Sequence, residues 1–184
     1  MSTIYSFAPI VDRNAEILIL GSMPGEASLA ANQYYAHPQN AFWRIMGELL
    51  DFNPNRASYA DKTSALKSAH IALWDVLQSC RRQGSLDSSI EVSSQTINDF
   101  QAFFADYEHI RYVFFNGAKA EACFMRYVLK ARMPDLQSRM QLSRLPSTSP
   151  AHATLSFVQK RDQWEHKLGT TLSKSLCSGH ELSI

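Results

Sequence analysis

Strong net charge, clustered cysteines and long apolar runs are all missing from this sequence, and each absence removes a class of function. Formal net charge is +1 with histidine neutral. A globally basic protein that coats nucleic acid by charge alone is therefore excluded, and any nucleic-acid contact must come from a local patch and from backbone N–H groups. Cys80, Cys123 and Cys177 stand far apart with no Cys-x-x-Cys spacing. Disulfide frameworks and zinc sites use closer, even-numbered sets, and a cubane iron–sulfur cluster needs a fourth thiolate. Free thiols in a reducing compartment are expected, with no metal. No apolar stretch nears the ~18 residues of a membrane span, and Met1–Asp12 lacks a basic region followed by an apolar run. The expectation is a cytoplasmic protein with no membrane partner.

What is present is the material of one domain, 184 residues with 45% hydrophobic and 19% charged side chains. Glu16–Gly21 is a continuous apolar run ending on glycine, the pattern of a strand buried on both faces. A loop over 22–40 follows, punctuated by Pro24, Gly25 and Pro38. Asn40–Leu50 reads as a helix, capped by Asn40, with Phe42, Trp43, Met46, Leu49 and Leu50 in one stripe. His70–Asp75 and His109–Asn116 read as strands, and Gln137–Leu145 as a fourth. Helices are expected over Thr96–Tyr107, over Ala118–Arg132 before Pro134, and from near Ala153 through Trp164. The tail after Ser173 is expected to fray. Strands alternate with helices, which predicts an α/β sandwich around a largely parallel sheet of four strands. Ligands in such folds sit beyond the carboxyl ends of the strands. The candidate loops are thereby 22–40, 75–85, 116–119 and 146–152.

The first of these loops carries the most unusual residues. Gly21-Ser-Met-Pro-Gly25 ends a strand and opens a turn able to hold an anion or the edge of a polar ring. Alone it is a common turn. Tyr34-Tyr-Ala-His-Pro-Gln-Asn-Ala-Phe-Trp43 follows it, and Leu145-Pro-Ser-Thr-Ser-Pro-Ala-His152 comes late in the chain. Together they resemble the two motifs of the uracil-DNA glycosylase superfamily. The mismatch-specific branch has Gly-Ile-Asn-Pro-Gly followed by Phe-Ala-His-Pro-x-Asn-x-Phe-Trp. Met23 stands where the uracil-acting branches carry a water-activating Asp or Asn, and this departure resembles the hypoxanthine-DNA glycosylase branch. The resemblance implies a three-layer α/β/α sandwich with a four-stranded sheet and a monofunctional, cofactor-free hydrolase acting as a monomer on DNA that contains deaminated bases. Hypoxanthine is the expected substrate. A uracil or mismatch enzyme of the same fold, or a module that binds damaged DNA without chemistry, are the alternatives.

In the hypoxanthine branch the catalytic residue maps to Asn40, which the local pattern also reads as a helix cap. Asp75, ending the second strand, is the alternative water activator, or a cap for a following helix. Tyr35 is expected to stack on the flipped base, with Tyr34 packing behind it. Ser22 and Met23 offer backbone donors to the base. His37 either donates to the base or holds the loop, and Asn116 either reads a base edge or stabilises a turn with Gly117. Ser147, Thr148 and Ser149 are expected to contact DNA phosphates. That loop has no Leu or Phe to insert into the base stack. Arg81, Arg82 and Lys119 line the DNA path or are plain solvated surface. No lysine lies within the motifs, so no Schiff-base step is expected.

Overall fold

The computed structural model describes residues 3–173, so Cys177 and the tail expected to fray lie outside the described residues. The strands are β1 (Thr3–Tyr5), β2 (Ile17–Gly21), β3 (Ile71–Asp75), β4 (Leu77–Arg81), β5 (Thr96–Ile97), β6 (Tyr112–Asn116) and β7 (Gln141–Leu145). The helices are α1 (Glu26–Ala31), α2 (Phe42–Leu49), α3 (Tyr59–Ser68), α4 (Phe100–Asp106), α5 (Ala118–Phe124), α6 (Lys130–Arg132), α7 (Leu136–Arg139) and α8 (Phe157–Trp164). A π turn, Met125–Leu129, joins α5 to α6, and another, Glu165–Gly169, extends α8.

The main sheet runs β3-β2-β6-β7, parallel throughout. β2 and β3 are buried at every position, which is why they read as unbroken apolar runs. Alternate residues supply two cores. Leu18, Leu20, Ala72, Trp74, Val113 and Phe115 pack against Phe100, Phe103 and Phe104 of α4 and Phe124 of α5. Ile17, Ile19, Ile71, Leu73 and Phe114 pack against Phe42, Ile45 and Met46 of α2, Leu66 of α3 and Trp164 of α8. The result is a three-layer α/β/α sandwich. Register aligns the strand ends: Gly21 pairs with Asp75, Leu20 with Phe115 and Asn116 with Leu145. Gly21, Asp75, Asn116 and Leu145 therefore form one row along the carboxyl edge of the sheet.

Several expected elements differ in detail. The helix expected over Thr96–Tyr107 begins only at Phe100, where Asp99 accepts the Ala102 N–H. Thr96–Ile97 instead pairs with β4, and β1-β4-β5 form a second, antiparallel sheet. β7 is shorter than Gln137–Leu145 because Leu136–Arg139 closes a helical turn first. The last helix starts at Phe157, not near Ala153, fixed by a reciprocal cap of Ser156 and Gln159. Two helices, α1 and α3, occupy stretches in which no helix is expected. α3 buries only Leu66 fully and so leaves little apolar signature; Ser58 and Asp61 cap it instead.

Candidate active site

Beyond the strand ends opens a cleft of about 730 Å³. The residues singled out in the sequence, Ser22, Met23, Tyr35, His37, Asn40, Asp75, Asn116, Ser147, Thr148 and Ser149, all line it. The parallel register explains the convergence, because it brings four strand ends level and the loops after them onto one rim.

Tyr35 adopts φ +54°, a left-handed conformation uncommon for a bulky residue. Its ring stacks on Phe42, with centroids 4.1 Å apart and planes 27° from parallel. Phe42 is itself in the core, so Tyr35 has a rigid backing on one face. Its hydroxyl is buried without a hydrogen-bond partner among the described residues, and burial and the Asp75 charge push the phenol far above its ordinary range. Tyr34 packs deeper, its hydroxyl donating to the Phe7 and Ala8 carbonyls at 3.4 and 3.3 Å.

Asn40 is held from both sides. Its N–H donates to the His37 carbonyl at 2.8 Å, and its side-chain oxygen accepts the Phe42 N–H at 3.0 Å. With Oδ1 facing the backbone, the amide donors remain for a ligand. His37 Nδ1 accepts the Gln39 N–H at 3.2 Å, which leaves Nε2 as the ring's donor.

Asp75 caps no helix, since β3 is followed directly by β4. Its side chain is 3% exposed, and Oδ2 has no hydrogen-bond partner among the described residues. Burial first and the Asp87 charge second push its carboxyl up to about 8, against the opposing charge of Arg82. Gly21 lies beside it. A Cβ on Gly21 would run into Asp75 Oδ1 and come within 3.1 Å of the Tyr35 hydroxyl. Gly21→Ala is accordingly expected to displace both groups and to lower stability by about 1–3 kcal/mol, read from urea unfolding. Unchanged stability with unchanged Tyr35 fluorescence would show that the floor of the cleft yields.

Asn116 and Thr148 bond reciprocally: Asn116 Nδ2 donates to Thr148 Oγ1 and Thr148 N–H donates to Asn116 Oδ1, each at 2.8 Å. The Thr148 carbonyl accepts the Ala41 N–H at 3.0 Å. Thr148 is 1% exposed, so it works inside the rim, tying β6, the 146–152 loop and the start of α2 together. Ser147 and Ser149 are half-buried on the rim of the cleft. Lys160 and Trp164 of α8 hold this loop by donating to the Ser149 and Pro146 carbonyls at 3.1 and 2.9 Å. Gly117, at φ +101°, lets Ser147 approach to within 3.0 Å of where its Cβ would be.

Of the candidate loop 75–85, Asp75 and Ser85 line the cleft, and the lining continues past its expected end through Leu86, Asp87 and Ser88. Ser22 Oγ donates to Asp87 Oδ1 at 2.7 Å, and Glu26 N–H donates to Ser85 Oγ at 2.9 Å. Ser22 therefore spends its hydroxyl proton on Asp87. Arg82 is neither solvated surface nor on a DNA path: it is buried, donating to the Pro24 and Gly84 carbonyls at 2.5 and 2.7 Å.

The family model of the uracil DNA glycosylase superfamily matches residues 8–169. The chain belongs to the uracil DNA glycosylase superfamily. Within the superfamily it is 36% identical over 159 residues, covering 86% of this chain and 94% of the relative, to a Methanosarcina acetivorans protein named hypoxanthine DNA glycosylase. A Methanosarcina barkeri protein of the same name is 40% identical over 114 residues, 62% of this chain and 71% of the relative. A solution structure described as a candidate uracil DNA glycosylase from Methanosarcina acetivorans superposes with a TM-score of 0.74 at 33% identity, covering 90% of this chain and 96% of that one. DNA glycosylase, the activity common to these names, is the enzyme class of this superfamily member. No helix among the described residues is long and apolar enough to cross a membrane.

Proposed function

We propose that this enzyme excises hypoxanthine from DNA, working as a monomer inside the cell, and leaves an abasic site. The reading rests on one observation. The fixed amide of Asn40, the backed ring of Tyr35 and the hydroxyl rim of Ser147 and Ser149 open on the same cleft, in a chain that matches relatives named hypoxanthine DNA glycosylase over most of its length. The extruded base stacks on the free face of Tyr35, a contact worth roughly 1–3 kcal/mol, with its polar edge toward the 21–25 turn. As the glycosidic bond lengthens, negative charge moves onto the purine ring and positive charge onto the sugar. Asn40 Nδ2 donates to the departing ring, and His37 Nε2 stands by as a second donor. Water adds at C1′, with the Asp75 carboxylate as the group able to take its proton. Met23 is buried in the core and offers no such group.

A uracil-acting enzyme with the same cleft is the second reading, favoured by the name of the solved structure. The two separate in a panel of duplexes carrying hypoxanthine, uracil, thymine or xanthine opposite each partner base. Hypoxanthine is expected to be released fastest, giving a strand that breaks only after alkali. Intact deoxyinosine DNA beside processed uracil DNA would move the assignment to uracil. Strand scission without alkali would overturn monofunctional hydrolysis.

A further inference from the structure

The rim of the cleft carries one side chain that neither the base chemistry nor the core accounts for. Leu86 lines the cleft yet is 53% exposed. The other large apolar side chains of comparable exposure among the described residues, Tyr5, Val92 and Val158, do not line it. The exposure is built in, because hydrogen bonds tether the residues on both sides of Leu86 and its own carbonyl accepts the Ser89 N–H at 3.0 Å. Ser85 Oγ accepts the Glu26 N–H at 2.9 Å, Asp87 Oδ1 accepts the Ser22 hydroxyl at 2.7 Å, and Arg82 Nε holds the Gly84 carbonyl at 2.7 Å. A leucine on a slack loop would fold back onto apolar surface; this one is presented outward at the mouth of the cleft.

A nucleotide turned out of a duplex leaves a gap between its stacked neighbours, and proteins that open base stacks fill such gaps with apolar wedges. The 146–152 loop offers only small hydroxyls, prolines, an alanine and a histidine. We propose that Leu86 is the wedge, entering the base stack from the loop after β4 and holding open the gap from which the target nucleotide has turned. The inference rests on the reading of the chain as a DNA glycosylase that acts on duplexes, and it is independent of which base is removed.

The test measures binding of the intact protein to a duplex with a central tetrahydrofuran abasic analogue and to the single strand alone. A 2-aminopurine beside the analogue reports unstacking. Leu86→Ala is expected to weaken duplex binding by about tenfold or more and to abolish the 2-aminopurine signal, while single-strand binding stays within about twofold. Leu86→Phe is expected to restore both. Melting temperatures of the variants should match that of the wild type, since Leu86 packs in neither core. Equal duplex affinity for Leu86→Ala and wild type overturns the wedge, as does an equal loss on both DNAs. Absence of turnover on deoxyinosine DNA would sink the substrate reading while leaving this binding result to stand. Failure of the wild type to bind either DNA overturns both.

Discussion

Replacing Asn40 with alanine is expected to slow single-turnover release of hypoxanthine by a hundredfold to a thousandfold, about what one preorganised hydrogen bond to developing charge contributes. Alanine also removes the acceptor for the Phe42 N–H, so a stability loss of about 1 kcal/mol should accompany it. Asn40→Asp separates the two effects. A carboxylate at position 40 still accepts the Phe42 N–H, which should restore the melting temperature, but it has no amide donors for the leaving ring. The expected result is a stable and strongly impaired enzyme. Full activity in Asn40→Asp would mean that the residue works as an acceptor, orienting water, and full activity in Asn40→Ala would remove it from catalysis altogether.

The second large effect concerns Asp75 and pH. Burial raises its folded-state carboxyl to about 8 from an ordinary value of 3.8. Below pH 4 folded and unfolded chains both carry the proton. Between pH 4 and 8 the unfolded chain releases it while the folded chain retains it, so stability falls progressively as pH rises; above pH 8 the whole penalty is present. Asp75→Asn removes the titration. The variant is expected to gain on the order of a few kcal/mol over wild type at pH 8–9, with little gain at pH 4. Urea unfolding at several pH values measures this directly, and parallel curves for the two proteins would refute it. The catalytic expectation runs the other way. If the carboxylate takes the proton from water, wild-type rate rises as Asp75 ionises towards pH 8, and Asp75→Asn is slow and flat over that range. A variant more stable and less active than wild type is what a buried, unpartnered carboxylate in a cleft leads one to expect.

Gly21→Ala and Leu86→Ala probe two ends of the same cleft. The first crowds its floor, where Gly21, Asp75 and Tyr35 meet; the second removes an outward side chain from its rim. Only the first is expected to cost stability, because only Gly21 lies within the sheet.

The main sheet and its site-bearing edge were legible because their causes are local. Parallel strands buried on both faces leave unbroken apolar runs such as Ile17–Leu20, and the stripe of α2 repeats with the helical period. With the strands known, the rule that ligands gather beyond their carboxyl ends places Ser22, Asp75, Asn116 and Ser147 on one rim from the sequence alone. What the tertiary structure alone decided was how that rim is wired. Ser22 meets Asp87 from 65 residues away, Asn116 and Thr148 lock together across 32, and Arg82 reaches back to Pro24. No periodicity encodes such pairs, because each depends on where two loops land after the sheet has formed. The state of Asp75 has the same origin: its identity is in the sequence, but its weakened acidity comes from burial beside Asp87, and burial belongs to the assembled fold.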